Sequence, residues 1–186
     1  MKSHSVAYFR RYLQAAQAAL DGYLLSEDLY WPIDARPPAG EGTYPALTLG
    51  TILLYLRIFT SLVPQAEAQQ METAFWHLRE RWRVAWERKA ARDWAARLRQ
   101  WGQYVGELQT DVGNAGYYAY QVRLRVILEL LLQERLPLSS DDLDVLKGMD
   151  VQLRAMWRMG AFLWPPEMAA AFPEQPFWFL WGEISG

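Results

Sequence analysis

The chain contains no cysteine, two histidines (His4 and His77) and only three lysines in 186 residues. The missing thiol excludes a disulfide scaffold, a cysteine nucleophile, an iron–sulfur cluster and any cysteine-based zinc site. Two imidazoles are too few for a multi-histidine metal site. No Glu-x-x-His pair of the type used by di-iron bundles occurs. Asp141, Asp142, Asp144 and Asp150 lack the glycine and closing glutamate of a calcium loop. There is no G-x-S-x-G elbow, and neither histidine has a serine or aspartate signature nearby. Gly40-Glu41-Gly42 has no strand before it and no helix directly after it, so it is not a nucleotide loop. These absences predict no metal and no cofactor and point away from catalysis, with carboxylate-based or arginine-based chemistry left open.

A membrane-spanning run is missing too. The longest apolar stretch, Pro45 to Val63, has Arg57 inside it and is diluted by Thr48, Thr51, Thr60 and Ser61. A central arginine costs about 2.5–3.5 kcal/mol on insertion scales, so a core helix is expected and no membrane contact. Arg10 and Arg11 fall where the apolar run of a secretory signal would be, and a cytoplasmic location is expected.

What is abundant is tryptophan, with ten residues, in a chain that is 52% hydrophobic and 22% charged. That balance is globular, and the length fits a single domain over residues 1–186. Arginines outnumber lysines 16 to 3. The net charge of -2 argues against a non-specific nucleic-acid binder, but the charge is unevenly spread. Residues 77–101 hold seven arginines and one lysine against three acids, whereas residues 129–186 hold nine acids against four bases. Mutual attraction of these two regions inside one fold is the plain expectation.

Hydrophobic periodicity predicts an all-α bundle of about five main helices. The first covers Ser5 to Leu25, with Ser3 or Ser5 as its cap. A long loop follows at 26–45, with four prolines and two glycines. Leu29, Tyr30, Trp31 and Ile33 are expected to tether it, and Arg36 to Thr43 to form a mobile tip. The second helix, about Ala46 to Leu62, is apolar nearly all round and should be buried. From Gln65 to Thr110 no proline occurs, which predicts one continuous central helix, about 68 Å long at 1.5 Å per residue. A turn at residues 111–116 leads to a fourth helix ending near Glu134. A fifth runs from a Ser139 or Ser140 cap to about Phe162. The tail, 164–186, carries four prolines and is expected to be irregular, with a weak strand signal at Phe177 to Trp181.

Three constellations stand out. On a straight helix Arg81, Arg88, Arg92 and Arg99 fall within roughly 40° of one another, in a stripe about 27 Å long. Phe75, Trp76, Leu78, Trp82, Trp86, Trp94 and Trp101 occupy the broader opposite face, as core. The stripe either pairs with the acidic fifth helix, points to solvent, or binds phosphates of RNA or DNA or an acidic partner. The tail aromatics Phe177, Trp178, Phe179 and Trp181, with Leu180, either fold back on the bundle or dock on a second copy or another protein. Tyr117, Tyr118 and Tyr120 beside Arg123 and Arg125 either line a polar pocket or form a satisfied network. Together these features favour a non-catalytic interaction protein, an adaptor or subunit with a protein partner or homo-oligomeric contact. The alternative is a nucleic-acid-binding subunit that uses the arginine stripe.

Overall fold

The computed structural model describes residues 4–134 and 136–185. The fold is all-α apart from one two-stranded ribbon. The described residues group into two compact units, one within Ser3–Asp93 and one within Trp94–Gly186. Among them no helix is long and apolar enough to cross a membrane.

The first unit begins with α1, Val6–Leu25. The Ser5 hydroxyl caps it by accepting from the Tyr8 amide at 3.2 Å. Its buried side, including Phe9, Tyr12, Leu13, Leu20 and Leu24, follows the predicted three-and-four spacing. Helix α2, Leu49–Leu62, starts later than its apolar run because Thr48 is held extended as the cap, accepting from the Thr51 amide at 3.2 Å. Helix α3, Gln65–Arg81, opens after Pro64, where the missing N–H has no helical partner to lose. Helices α1, α2 and α3 pack on one another.

The predicted continuous helix from Gln65 to Thr110 is broken. Trp82 adopts φ −114° and ψ 28°, and α4, Arg83–Thr110, starts after it. The 28-residue α4 is the long central helix of the fold and continues from the first unit into the second. The ladder bends there and does not stop. The Trp82 amide still donates to Leu78 and the Trp86 amide to the Trp82 carbonyl, at 3.0 and 2.9 Å. No glycine or proline causes the bend. The Trp82 indole N–H is tied to the Asp21 carboxylate of α1 at 2.7 Å, so a contact distant in sequence sets the local backbone.

Two buried, opposite charges four residues apart on α4 locate the ends of its neighbours. Lys89 is fully buried; its ammonium donates to the Asp28 carbonyl and to the Ser26 hydroxyl and lies 4.5 Å from the Tyr23 ring centre. It thus supplies positive charge just past the C-terminus of α1, where α1 has no base of its own. Asp93, also fully buried, accepts from the Gly50 amide at 2.7 Å in the first turn of α2. A carboxylate there suits the positive end of the helix dipole.

The connection between α1 and α2 is more firmly held than its composition suggests. Trp31 and Leu47 form an antiparallel bridge, with N···O distances of 3.1 and 2.7 Å. Within the expected mobile tip, Glu41 accepts from the Ser5 hydroxyl and the Ser5 amide and pairs with His4 at 3.1 Å. The Tyr8 hydroxyl donates to the Thr43 carbonyl, and Tyr44 donates back to the Tyr8 carbonyl. Gly40 and Gly42, at φ 84° and 75°, make the reversal that brings Glu41 to the start of α1. The Ser5 hydroxyl bond, the Ser5 amide and His4 hold the Glu41 carboxyl below its ordinary value despite some desolvation. A depressed carboxylate stabilises the fold above its unfolded pKa, near 4.5, and that contribution is lost as pH falls through the folded value. Glu41→Gln is therefore expected to melt slightly below wild type at neutral pH. The difference should vanish in acid, which thermal melts at the two pH values check.

In the second unit, a 3₁₀ turn at Val112–Tyr117, a short α5, Tyr118–Gln121, and α6, Arg123–Gln133, replace the predicted single fourth helix. Helix α7, Ser140–Met156, is capped by Ser139 and carries Asp141 and Asp142 in its first turn. It stops earlier than periodicity suggests, because Trp157–Met159 leaves as strand β1 and pairs antiparallel with β2, Gly182–Ile184. Gly182 is required there: a Cβ would collide with the Arg158 carbonyl and the Trp157 ring. Between the strands lie a 3₁₀ turn at Pro166–Ala171, the short helical turn α8, Glu174–Phe177, and a 3₁₀ turn at Trp178–Leu180. The strand suggested at Phe177 to Trp181 is thus a pair of helical turns.

Candidate binding groove at the Trp82 break

The break at Trp82 turns the last residues of α3 and the first of α4 around one open groove of about 390 Å³. Its apolar lining comes from Leu25 at the end of α1 and from Trp82, Val84 and Ala85. Leu25 is 60% and Val84 76% exposed. Around these side chains stand Arg81, Arg83 and Arg88, with Glu80 as the one acid. Arg83 falls about 160° from the arginine stripe on a straight helix, which is why sequence reasoning passed over it. It lines the groove together with Val84.

The floor is fixed in advance. The Trp82 indole is held by Asp21, and the Arg81 guanidinium lies 5.2 Å from the centre of the Trp82 ring. Arg81 also pairs with Asp21 at 3.4 Å. Arg88 and Arg92 reach Glu27 at 4.0 and 3.3 Å, and Arg92 donates to the Glu27 backbone carbonyl at 2.8 Å. The pairs lie at the surface, since the Arg81, Arg88 and Arg92 side chains are 64%, 53% and 42% exposed and Glu27 is 82% exposed. Exposed pairs of this kind contribute only about 0–1 kcal/mol each. Arg83 makes no ion pair among the described residues. Behind this face, burial and the neighbouring Arg92 push the Lys89 ammonium below the ordinary lysine range.

The predicted stripe is therefore gathered only in part. The partners found by Arg81, Arg88 and Arg92 are Asp21 and Glu27 of the first unit, where sequence reasoning looked to the acidic fifth helix. Arg81 precedes the break and lies on α3. Arg99 is exposed and belongs to the second unit, with no ion pair among the described residues. On the face expected to be core, Trp86, Trp94 and Trp101 are buried. Trp76 is 53% exposed, because it lies about 100° around α3 from the buried Phe75.

The C-terminal aromatics are packed inside the second unit. Phe177, Phe179 and Leu180 are fully buried, Trp178 is 7% exposed and Trp181 is half-buried. Phe172, Phe177 and Phe179 follow one another edge to face, and Trp178 meets Trp157 at 5.2 Å. The Trp181 indole donates to the Phe172 carbonyl and the Trp164 indole to the Ala119 carbonyl, both at 2.9 Å. These residues serve the interior of their own unit.

The tyrosine set divides. Tyr118 is buried and donates to the Phe179 carbonyl at 2.8 Å, and burial raises its pKa. Tyr117 and Tyr120 are exposed, with Arg123 stacked on the Tyr120 ring. Arg125 is buried, held in a two-pronged pair with Asp150 at 2.9 Å on each side and bonded to Glu129 at 3.1 Å. Burial alone would lower its pKa; the two carboxylates outweigh that and raise it. Tyr118 and Arg125 thus face the interior, while Tyr117 and Tyr120 face solvent. Among the described residues, no group of three or more His, Asp or Glu side chains is placed to hold a metal ion.

No protein-family model matches the chain, and no match was found among curated proteins or solved structures.

Proposed function

We propose that the protein is a non-catalytic helical interaction protein, an adaptor or subunit, which holds an acidic segment of another protein on the arginine face around Trp82. The observation that carries this reading is the groove itself: three guanidiniums surround exposed apolar side chains on a floor fixed before binding. Arginine suits this role, because its planar fork binds a carboxylate with two hydrogen bonds and is always charged. The same face already holds the carboxylates of Asp21 and Glu27. A groove within roughly 300–1,000 Å³ is large enough for a few side chains of a partner.

The second reading, nucleic acid held through its phosphates, rests on the same arginines. Glu80 and the apolar lining favour protein over a phosphate backbone. Anisotropy titration of a fluorescein-labelled acidic peptide against wild type and Arg83→Glu/Arg88→Glu tests the proposal. The charge reversals are expected to weaken binding at least about tenfold, equal to 1.4 kcal/mol, with the circular dichroism spectrum unchanged. Equal affinity for the two proteins would sink the reading. A labelled RNA that binds more tightly, with affinity falling steeply in salt, would move it to the second.

A further inference from the structure

Resting on the reading of the groove as a dock for an acidic segment, we infer that this segment is amphipathic. It carries a large aliphatic or aromatic side chain between carboxylates and seats that side chain on Leu25, Trp82 and Val84. Charge alone does not account for the groove. Leu25 closes α1 and Val84 stands second in α4, so both occupy helix ends where a polar residue would serve the local structure equally well. Both are largely exposed, and they line the same 390 Å³ groove. A pair of exposed apolar side chains beside a half-buried tryptophan offers a place where a partner's apolar side chain leaves water.

The charges around this seat set the partner's pattern. Arg83 has no carboxylate of its own among the described residues, and Arg81 and Arg88 keep more than half of their surface in solvent. A segment with acids on either side of the apolar anchor meets all three. The seat is also preformed: the bond from the Trp82 indole to Asp21 and the stacked Arg81 leave little to be ordered on binding. The occupant is therefore a short acidic stretch of another protein with an apolar anchor, the pattern of one face of an acidic amphipathic helix.

Two fluorescein-labelled peptides of equal charge and length test this, one of repeated Glu-Glu-Leu and one of repeated Glu-Glu-Ala triplets. Leucine and alanine both favour helix, so the comparison isolates the anchor. Wild type is expected to bind the leucine peptide about tenfold more tightly, from partial burial of the three carbons by which leucine exceeds alanine. Val84→Ser, at an exposed position, should remove most of that preference by weakening the leucine peptide more than the alanine peptide. Arg83→Glu should weaken both peptides together. If wild type binds both equally while Arg83→Glu loses both, the acidic dock stands and the apolar seat is wrong. If wild type binds neither, dock and seat fall together.

Discussion

Arg125→Met is expected to lower the stability of the protein by about 3–5 kcal/mol. Removing the guanidinium leaves the carboxylates of Asp150 and Glu129 side by side, 20% and 16% exposed, with no positive charge between them. It also removes the contact between the guanidinium and the Phe179 ring at 4.6 Å, through which the pair supports the aromatic tail. The penalty comes from the stranded carboxylates more than from the lost attraction. Replacing all three residues, Arg125→Met with Glu129→Leu and Asp150→Leu, should therefore recover most of the loss. Urea unfolding followed by tryptophan fluorescence measures both variants. A loss below about 1 kcal/mol in Arg125→Met would show that water reaches the triad and screens it.

Asp93→Ala is expected to cost about 2–3 kcal/mol. Its carboxylate is buried, accepts a short bond from the Gly50 amide and lies at the positive end of α2. A hydrogen bond to a charged group contributes about 1.5–3 kcal/mol, and its loss leaves a buried amide unsatisfied. Asp93→Asn keeps an acceptor without the charge and should fall between the two. Chemical denaturation orders the three proteins, and amide exchange at Gly50 locates the effect. An Asp93→Ala protein as stable as wild type, with Gly50 still protected, would remove the helix-end role assigned here.

The helical class was open to reading because most of its signals are local. Ser5 before an apolar period of three and four, Pro64 at a helix start, and Ser139 ahead of two aspartates each act within one turn of where they stand. What sequence missed depends on contacts between distant residues. Trp82 bends the predicted spine because Asp21, on another helix, holds its indole. Arg83 and Val84, just past the bend, line the groove. Lys89 and Asp93 look like ordinary surface charges until the helix ends they meet are known. The arginine stripe was visible as a periodicity. Its partners were not, because Asp21 and Glu27 lie in and just after the first helix and carry no mark of their role. The aromatic, irregular character of the tail is legible in its prolines and rings, but the ribbon that closes it depends on Gly182 admitting the Trp157 ring, which no alternation announces.

Lys89 and Asp93 give α4 the character of a ruler. One marks where α1 ends and the other where α2 begins, four residues or about 6 Å of rise apart. The chain that joins those two marks need not encode the distance between them. The stretch between the Trp31 bridge and the Pro38–Glu41 turn, residues 32–37, is thus relieved of positional duty and can lengthen or shorten while the helix ends keep their places. Leu25, at the last position of α1, would keep its place with them, so the groove is insulated from drift in the longest loop of the protein.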